Sequence, residues 1–134
     1  MAHSEFNPSE SEPVHLLQIW ILPSEHGLPP SYEEKHFKEE ERRGRLRLIA
    51  SNDGRDGSVT IHQDAQLFAA VLDTGQTVVH AIDEQRYAWL QIARGTIRVN
   101  DVELKQGDGA AVRNESELRI TAHDQAEVLL FDLA

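Results

Sequence analysis

Residues 97–104 read Ile-Arg-Val-Asn-Asp-Val-Glu-Leu, and this stretch is the clearest indication of the fold class. Apolar and polar side chains alternate on both sides of a central Asn-Asp pair. Such alternation is typical of a strand with one buried face, and asparagine and aspartate favour tight turns. The stretch therefore predicts a β-hairpin.

Similar short runs continue on both sides of this hairpin, and turn signals separate them. The signals are Asn52-Asp53-Gly54, Asp56-Gly57, Asp73-Thr74-Gly75 and Gly107-Asp108-Gly109. Between them the pattern predicts strands at residues 46–50, 58–63, 66–72, 77–82, 86–93, 96–100, 110–113, 118–122 and 127–133. Short strands at such regular spacing predict an all-β fold, an antiparallel sandwich or barrel.

The first 45 residues have a different pattern. The apolar run at residues 14–22 predicts a buried strand, and the prolines and glycine within residues 23–30 predict a linker. Residues 32–37 are expected to be extended, with at most a short helical turn before Gly44. We therefore divide the chain into an arm and linker at residues 1–45 and a compact β domain at residues 46–134.

Composition excludes several classes of function. The chain has 134 residues and a net charge of −10, which repels phosphate backbones and argues against a nucleic-acid partner. It has no cysteine, so disulfides, thiolate nucleophiles and cysteine-bound zinc are excluded. The polar, acidic start lacks the features of a secretory signal, and no apolar run is long enough to span a bilayer. We expect a cytoplasmic protein with no membrane partner.

The sharpest local feature is His3-Ser4-Glu5. In an extended segment, side chains two residues apart project to the same side, so this imidazole and carboxylate could bind one divalent ion. Two donors do not complete a site, because such ions usually take three or four protein ligands, and an ordinary surface pair is the alternative. The other histidines are dispersed, with no His-x-His pair, and Trp20 and Trp89 are expected in the core.

Several motifs, in order, resemble those of the pirin family. They are His-Ser-Glu-Phe-Asn-Pro-Ser at residues 3–9, Leu-Gln-Ile-Trp-Ile-Leu-Pro at 17–23, Pro-Ser-Tyr at 30–32, Val-Thr-Ile-His-Gln-Asp-Ala at 59–65 and Glu-Val-Leu-Leu-Phe-Asp-Leu at 127–133. The chain is similar to bacterial members described as quercetin 2,3-dioxygenase-like, over essentially its whole length. The resemblance implies a cupin (RmlC-like) β-sandwich or barrel that carries an N-terminal arm, corresponding to the C-terminal half of a bicupin.

The resemblance also implies a metal site. In the family, three histidines and a glutamate of the N-terminal cupin hold the metal, and His3 and Glu5 match the last two of these ligands. The family's His-x-His pair has no counterpart here, so the chain is expected to begin, at Met1-Ala2, just before the third ligand. The intact family protein is thus expected to hold a divalent metal (iron, copper, nickel, zinc or another), and this chain alone is expected to hold none.

A second metal site, inside the C-terminal cupin itself, is not expected. Compared with the general cupin pattern, Ala88 stands where the glutamate ligand belongs and Ala110 where the last histidine belongs. His80 is the only histidine near the first ligand pair. Because alanine has no donor atom, the resemblance implies that this cupin has lost its own ligands.

Two classes of function remain open at this point. The resemblance implies that the intact protein is a metal-dependent dioxygenase acting on a flavonol-like phenol, with this chain non-catalytic by itself. The alternative is a metal-free cupin module that binds a small molecule or another protein; a polar interior would favour small-molecule binding, and one filled by Val, Leu and Ile would count against it. The expected partner is the N-terminal cupin half or a second copy, because the resemblance places residues 14–22 in the N-terminal barrel and leaves their edge unpaired.

Overall fold

The computed structural model describes residues 3–134, so Met1 and Ala2 lie outside the described part of the chain. One short helix precedes ten strands: α1 (Glu39–Arg42), β1 (Arg47–Ser51), β2 (Val59–Thr60), β3 (Ala65–Leu72), β4 (Thr77–Ala81), β5 (Tyr87–Arg94), β6 (Thr96–Val99), β7 (Val102–Lys105), β8 (Gly109–Val112), β9 (Glu117–Ala122) and β10 (Ala126–Leu133). The all-β class is confirmed. No helix within residues 3–134 has the length and apolar character needed to cross a membrane.

The strands form two sheets. One has six strands in the order β2-β1-β3-β10-β5-β8, and the other has four in the order β4-β9-β6-β7. All neighbouring strands are antiparallel except β1 and β2. Within the described residues no strand pairs with both sheets, so the architecture is a sandwich, and the closed barrel is not formed.

The hairpin at residues 97–104 is confirmed as β6 and β7. Ile97 lies opposite Leu104 and Val99 opposite Val102, and Asn100 takes a φ of 48° in the turn between them. Asparagine tolerates this left-handed conformation better than most residues do. Ile97, Val99 and Leu104 are buried, so three of the four apolar positions of the alternation face the core, whereas Val102 beside the turn is 57% exposed.

Apolar side chains fill the space between the two sheets. Inward positions alternate along the central strands β3, β5 and β10 of the six-stranded sheet and meet those of β6 and β9 opposite. The largest fully buried apolar residues are Leu72, Leu90, Ile92, Ile97, Leu118, Ile120, Val128 and Leu130. The interior is therefore filled mainly by Val, Leu and Ile side chains, which counts against a ligand cavity between the sheets.

The prediction of a buried strand at residues 14–22 is wrong. These residues belong to no helix or sheet, and Trp20 and Leu22 are 82% and 78% exposed. The segment lies across the outer face of the six-stranded sheet, where Arg94 Nε contacts His15 Nδ1 at 3.3 Å and the Gln63 amide donates to the Leu22 carbonyl at 3.0 Å. Within residues 3–134 it pairs with none of the strands.

Two other predictions concern short elements. A short helical turn before Gly44 is confirmed as α1, and residues 32–37 carry no assigned helix or strand. The strand predicted at residues 58–63 contracts to Val59–Thr60. Beyond it the Ile61 N–H donates to the Ser51 carbonyl of β1, and the His62 carbonyl accepts from the Ser24 N–H.

Candidate functional site

The His3–Glu5 pair lies on the exposed arm. His3 Nε2 and Glu5 Oε1 are 3.6 Å apart, and the two side chains are 59% and 51% exposed. Two donors bound to one ion at about 2.1 Å lie roughly 3.0–3.4 Å apart, so a small side-chain adjustment would let the pair bind one metal ion. The Gln18 amide is 3.3 Å from His3 Nε2 and holds the imidazole beside residues 14–22. The pair fits as half of a metal centre.

No further donors join this pair. Within residues 3–134, no group of three or more His, Asp or Glu side chains is arranged to hold a metal ion. Histidines 15, 26, 36, 62 and 123 are exposed and separate from the pair. A complete centre would therefore need donors from another polypeptide segment.

The interior of the cupin carries no ligand set. Ala88 is 3% exposed within the core between the sheets, and Ala110 packs against the same core from the neighbouring strand. Both positions that the cupin pattern assigns to ligands are thus occupied by methyl groups among apolar neighbours. His80 is close to this region, but its imidazole is hydrogen-bonded to Asp132.

His80 belongs to a buried polar network that closes one end of the sandwich. His80 Nε2 lies 2.8 Å from Asp132 Oδ2, and the Phe68 ring packs 5.0 Å from the imidazole. Arg86 Nε donates to the other Asp132 carboxylate oxygen, and Arg86 Nη1 donates to Asp64 at 2.9 Å. Asp132 is only 5% exposed, so this carboxylate depends on its two partners.

The network is a stabilising element rather than a reactive one. Arg86 also donates to the Asp132 main-chain carbonyl at 3.2 Å, so its guanidinium is committed to one strand end. The hydrogen bond to Asp132 raises the pKa of Arg86, which keeps the guanidinium charged. Sequence reasoning missed this cluster; the available signal was Asp132, a single acidic residue at an inward position of an apolar strand.

An apolar groove separates the arm from the outer face of the six-stranded sheet. Its volume is about 410 Å³, and its polar side chains are Gln18 and Gln91. Leu17, Ile19, Ile21, Trp20, Trp89, Leu129, Phe131 and Leu133 supply the rest of its lining. The prediction that both tryptophans lie in the core is wrong, since Trp20 is exposed and Trp89 is 39% exposed.

Trp89 packs closely against Gly109 of the neighbouring strand β8 on this outer face. A Cβ atom at Gly109 would lie 2.3 Å from Cζ2 of the indole, so only glycine lets the ring pack this closely against β8. Gln91 orients the other edge, where its carbonyl oxygen lies 3.4 Å from Trp89 Nε1 and its amide donates to the Asp108 carbonyl at 3.0 Å. The outer face therefore presents a fixed aromatic surface.

Comparison with known proteins identifies relatives of this fold and sequence. Residues 48–133 match the family described as "Quercetinase C-terminal cupin domain". "Quercetin 2,3-dioxygenase" of Escherichia coli K12 is 41% identical over 131 residues, covering 98% of this chain and 55% of that protein. "Putative quercetin 2,3-dioxygenase PM1685" of Pasteurella multocida is 43% identical over 134 residues, with coverages of 98% and 56%. The chain thus spans about half the length of these relatives.

Solved structures agree with this comparison. The crystal structure of YhhW from Escherichia coli superposes with a TM-score of 0.81 at 37% identity, covering 86% of this chain and 48% of that one. The structure of bacterial pirin YhhW from the same organism in complex with nickel(II) superposes with a TM-score of 0.79 at 38% identity, with coverages of 85% and 48%. The likeness extends beyond the cupin domain into part of the first 45 residues, because 86% coverage exceeds the length of residues 46–134.

Proposed function

This chain belongs to the pirin family as a quercetinase-type C-terminal cupin domain, and from that premise we propose that it forms one half of a metal-dependent dioxygenase. In this proposal it supplies His3 and Glu5 as two of four metal ligands, and it is inactive by itself. The observation that carries the proposal is the isolated pair: two donors 3.6 Å apart with no third among residues 3–134.

The metal, when bound, would supply Lewis acidity toward a phenolic substrate and dioxygen. His3 would bind through Nε2, which lies 3.6 Å from Glu5 Oε1. The Gln18 amide donates to this same nitrogen, so metal binding would displace that hydrogen bond. The Glu5 carboxylate is exposed, so it could accept a proton from a phenol hydroxyl as well as bind the ion. The nickel-bound relative supports a divalent ion, and the relatives' name supports a flavonol-like substrate.

The remainder of the chain has a structural role in this proposal. The packed interior gives a rigid support, and its outer face holds the arm that carries the metal ligands. The filled interior counts against the alternative of a metal-free cupin that binds a small molecule between its sheets. The protein-interaction alternative retains support from the exposed apolar side chains of residues 14–22.

The proposal is tested by joining two halves in solution. This chain is mixed with the part of the Escherichia coli relative that lies outside the matched region, and nickel retention and quercetin consumption are measured after gel filtration. We expect neither part alone to retain nickel and the mixture to do so. His3→Ala and Glu5→Gln should each lower nickel affinity at least about tenfold, since each removes one donor or its charge.

His26→Ala provides the matched control, because His26 is an exposed histidine on the same arm and away from the pair. Its nickel retention should equal that of the unsubstituted chain. If His3→Ala and Glu5→Gln both left nickel retention by the mixture unchanged, the ligand assignment would be wrong.

A further inference from the structure

The chain contains three Asp-Gly sequences, at residues 53–54, 56–57 and 108–109. At such a sequence the glycine nitrogen can attack the side-chain carboxyl carbon of the aspartate, because glycine has no side chain to obstruct the approach. Ring closure followed by hydrolysis converts the aspartate into isoaspartate. The three sequences differ in how firmly the structure holds them, and this difference indicates which one can react.

The carboxylates of Asp53 and Asp108 are held by hydrogen bonds. Asp53 Oδ1 accepts from the Ser51 hydroxyl at 3.0 Å and from the Arg55 main-chain N–H at 3.2 Å, and the bond from Arg55 lowers the pKa of Asp53. Asp108 Oδ2 accepts from the Lys105 main-chain N–H at 2.8 Å. Each carboxyl group would have to lose these bonds before a glycine nitrogen could reach its carbon.

The Asp56 carboxylate lacks such a hold. Asp56 and Gly57 are both exposed, and this carboxylate forms no hydrogen bond and no ion pair within residues 3–134. The Asp56 backbone has a φ of 55° and a ψ of 25°, a left-handed conformation that is uncommon for residues other than glycine. A loop with this conformation needs a restraint from elsewhere to keep it.

The side chain of Arg47 restrains the peptide between Asp56 and Gly57. Arg47 Nη2 donates to the Asp56 main-chain carbonyl at 2.6 Å, Nη1 donates to the Leu48 carbonyl at 3.0 Å, and the guanidinium lies 5.3 Å from the centre of the Phe37 ring. At a ψ of 25° the Gly57 nitrogen lies on the far side of the Cα–C bond from the Asp56 side chain. The attack therefore requires this peptide to rotate, which breaks the hydrogen bond from Arg47.

We propose that Asp56–Gly57 is a site of isoaspartate formation, and that Arg47 slows the reaction by holding the Asp56 carbonyl. The Gly57 nitrogen forms a bond to Cγ of the protonated Asp56 carboxyl, and the nitrogen's proton and the carboxyl hydroxyl leave as one water. A second water adds to the main-chain carbonyl carbon, whose bond to the nitrogen breaks, and the nitrogen stays bonded to Cγ. The chain then continues through Cγ, and its mass and net charge are unchanged. This proposal does not depend on the metal centre.

Trypsin separates the three sequences for measurement, because they lie in the tryptic peptides 48–55, 56–86 and 106–113. The full chain is incubated for several weeks at neutral pH and physiological temperature, then digested and analysed by mass spectrometry with electron-transfer fragmentation, which identifies isoaspartate. The uncleaved peptide 48–86 is included, because isoaspartate at residue 56 hinders cleavage after Arg55. We expect isoaspartate to accumulate first at Asp56. Asp56→Glu should abolish it there, since the longer side chain would have to close a larger, less favourable ring.

Arg47→Leu tests the restraint on the loop. The substitution should raise the rate of isoaspartate formation at Asp56 about tenfold, since it removes one hydrogen bond from a charged donor to the Asp56 carbonyl. The rates at Asp53 and Asp108 should not change, because release of this one loop leaves the rest of the fold closed. A variant that merely destabilised the sandwich would instead accelerate the reaction at all three sequences.

Arg45→Leu is the matched control, because Arg45 is an exposed arginine two residues away that donates to the Glu40 carbonyl and not to this loop. Its rate at Asp56 should equal that of the unsubstituted chain. The site assignment would be overturned if no isoaspartate formed, or if it formed at Asp53 or Asp108 before Asp56. The role of Arg47 would be overturned if Arg47→Leu matched Arg45→Leu, or if it accelerated all three sequences alike.

Discussion

Replacing Arg86 with alanine is expected to lower the free energy of unfolding by about 3 kcal/mol, because it leaves a buried carboxylate without its cationic partner. Asp132 is 5% exposed, and Arg86 donates both to its carboxylate and to its main-chain carbonyl. After the substitution, His80 would be the remaining partner of this carboxylate in the network. Urea unfolding monitored by circular dichroism measures the change.

Arg119→Ala provides the control for Arg86→Ala. Arg119 pairs with Glu117 on the surface, with side chains 58% and 48% exposed, and the change in unfolding free energy should stay within about 0.5 kcal/mol. The double substitution Arg86→Met with Asp132→Leu should recover most of the loss, since it removes both buried charges. A loss below about 1 kcal/mol for Arg86→Ala would show that the network does not stabilise this end of the sandwich.

Replacing Ala88 with glutamate is expected to cost at least about 3 kcal/mol of unfolding free energy, although it restores the residue type of the cupin ligand pattern. Ala88 is 3% exposed among apolar neighbours, and its partner on β10 is Asp132. A new carboxylate there would be buried directly opposite the Asp132 carboxylate, whose cation Arg86 is already engaged. The same urea experiment measures the loss, and nickel binding should not improve.

Tyr87→Glu is the matched control, since Tyr87 precedes Ala88 on the same strand but is 49% exposed. We expect a change below about 1 kcal/mol there. If Ala88→Glu instead folded with unchanged stability and retained nickel, the interior would be a usable ligand site and the filled-core interpretation would be wrong.

The sequence predicted most of the sandwich because its strands carry their own pattern. In β5, β9 and β10, the inward side chains, except Asp132, are apolar and alternate with outward ones, and glycines or asparagines mark several turns between strands. The segment at residues 14–22 was misassigned because its apolar run indicates burial but not the layer that buries it. Trp89 was misassigned for a related reason: the outer face of its sheet is itself apolar, so alternation along β5 did not mark an exposed side.

In the functional-site region, too, the sequence predicts local pairs of residues but not long-range ones. The His3–Glu5 pair is local in sequence, so its two-residue spacing alone predicts that the two donors lie close together, and they are 3.6 Å apart. The network of His80, Arg86 and Asp132 forms because β10 lies beside β5 and faces β4, a relation that only the sheet order establishes. Long-range contacts of this kind have no spacing rule that a single sequence reveals.

We propose that this chain holds two ligands, His3 and Glu5, of a metal centre that needs further donors. Metal content measured by mass spectrometry, on untagged protein equilibrated with nickel(II) and passed through gel filtration, tests it most directly. We expect far less than one ion per chain, because two exposed donors hold an ion too weakly to survive the column. About one ion per chain, or per pair of chains, would contradict the claim and show that a full site has been assembled around His3 and Glu5.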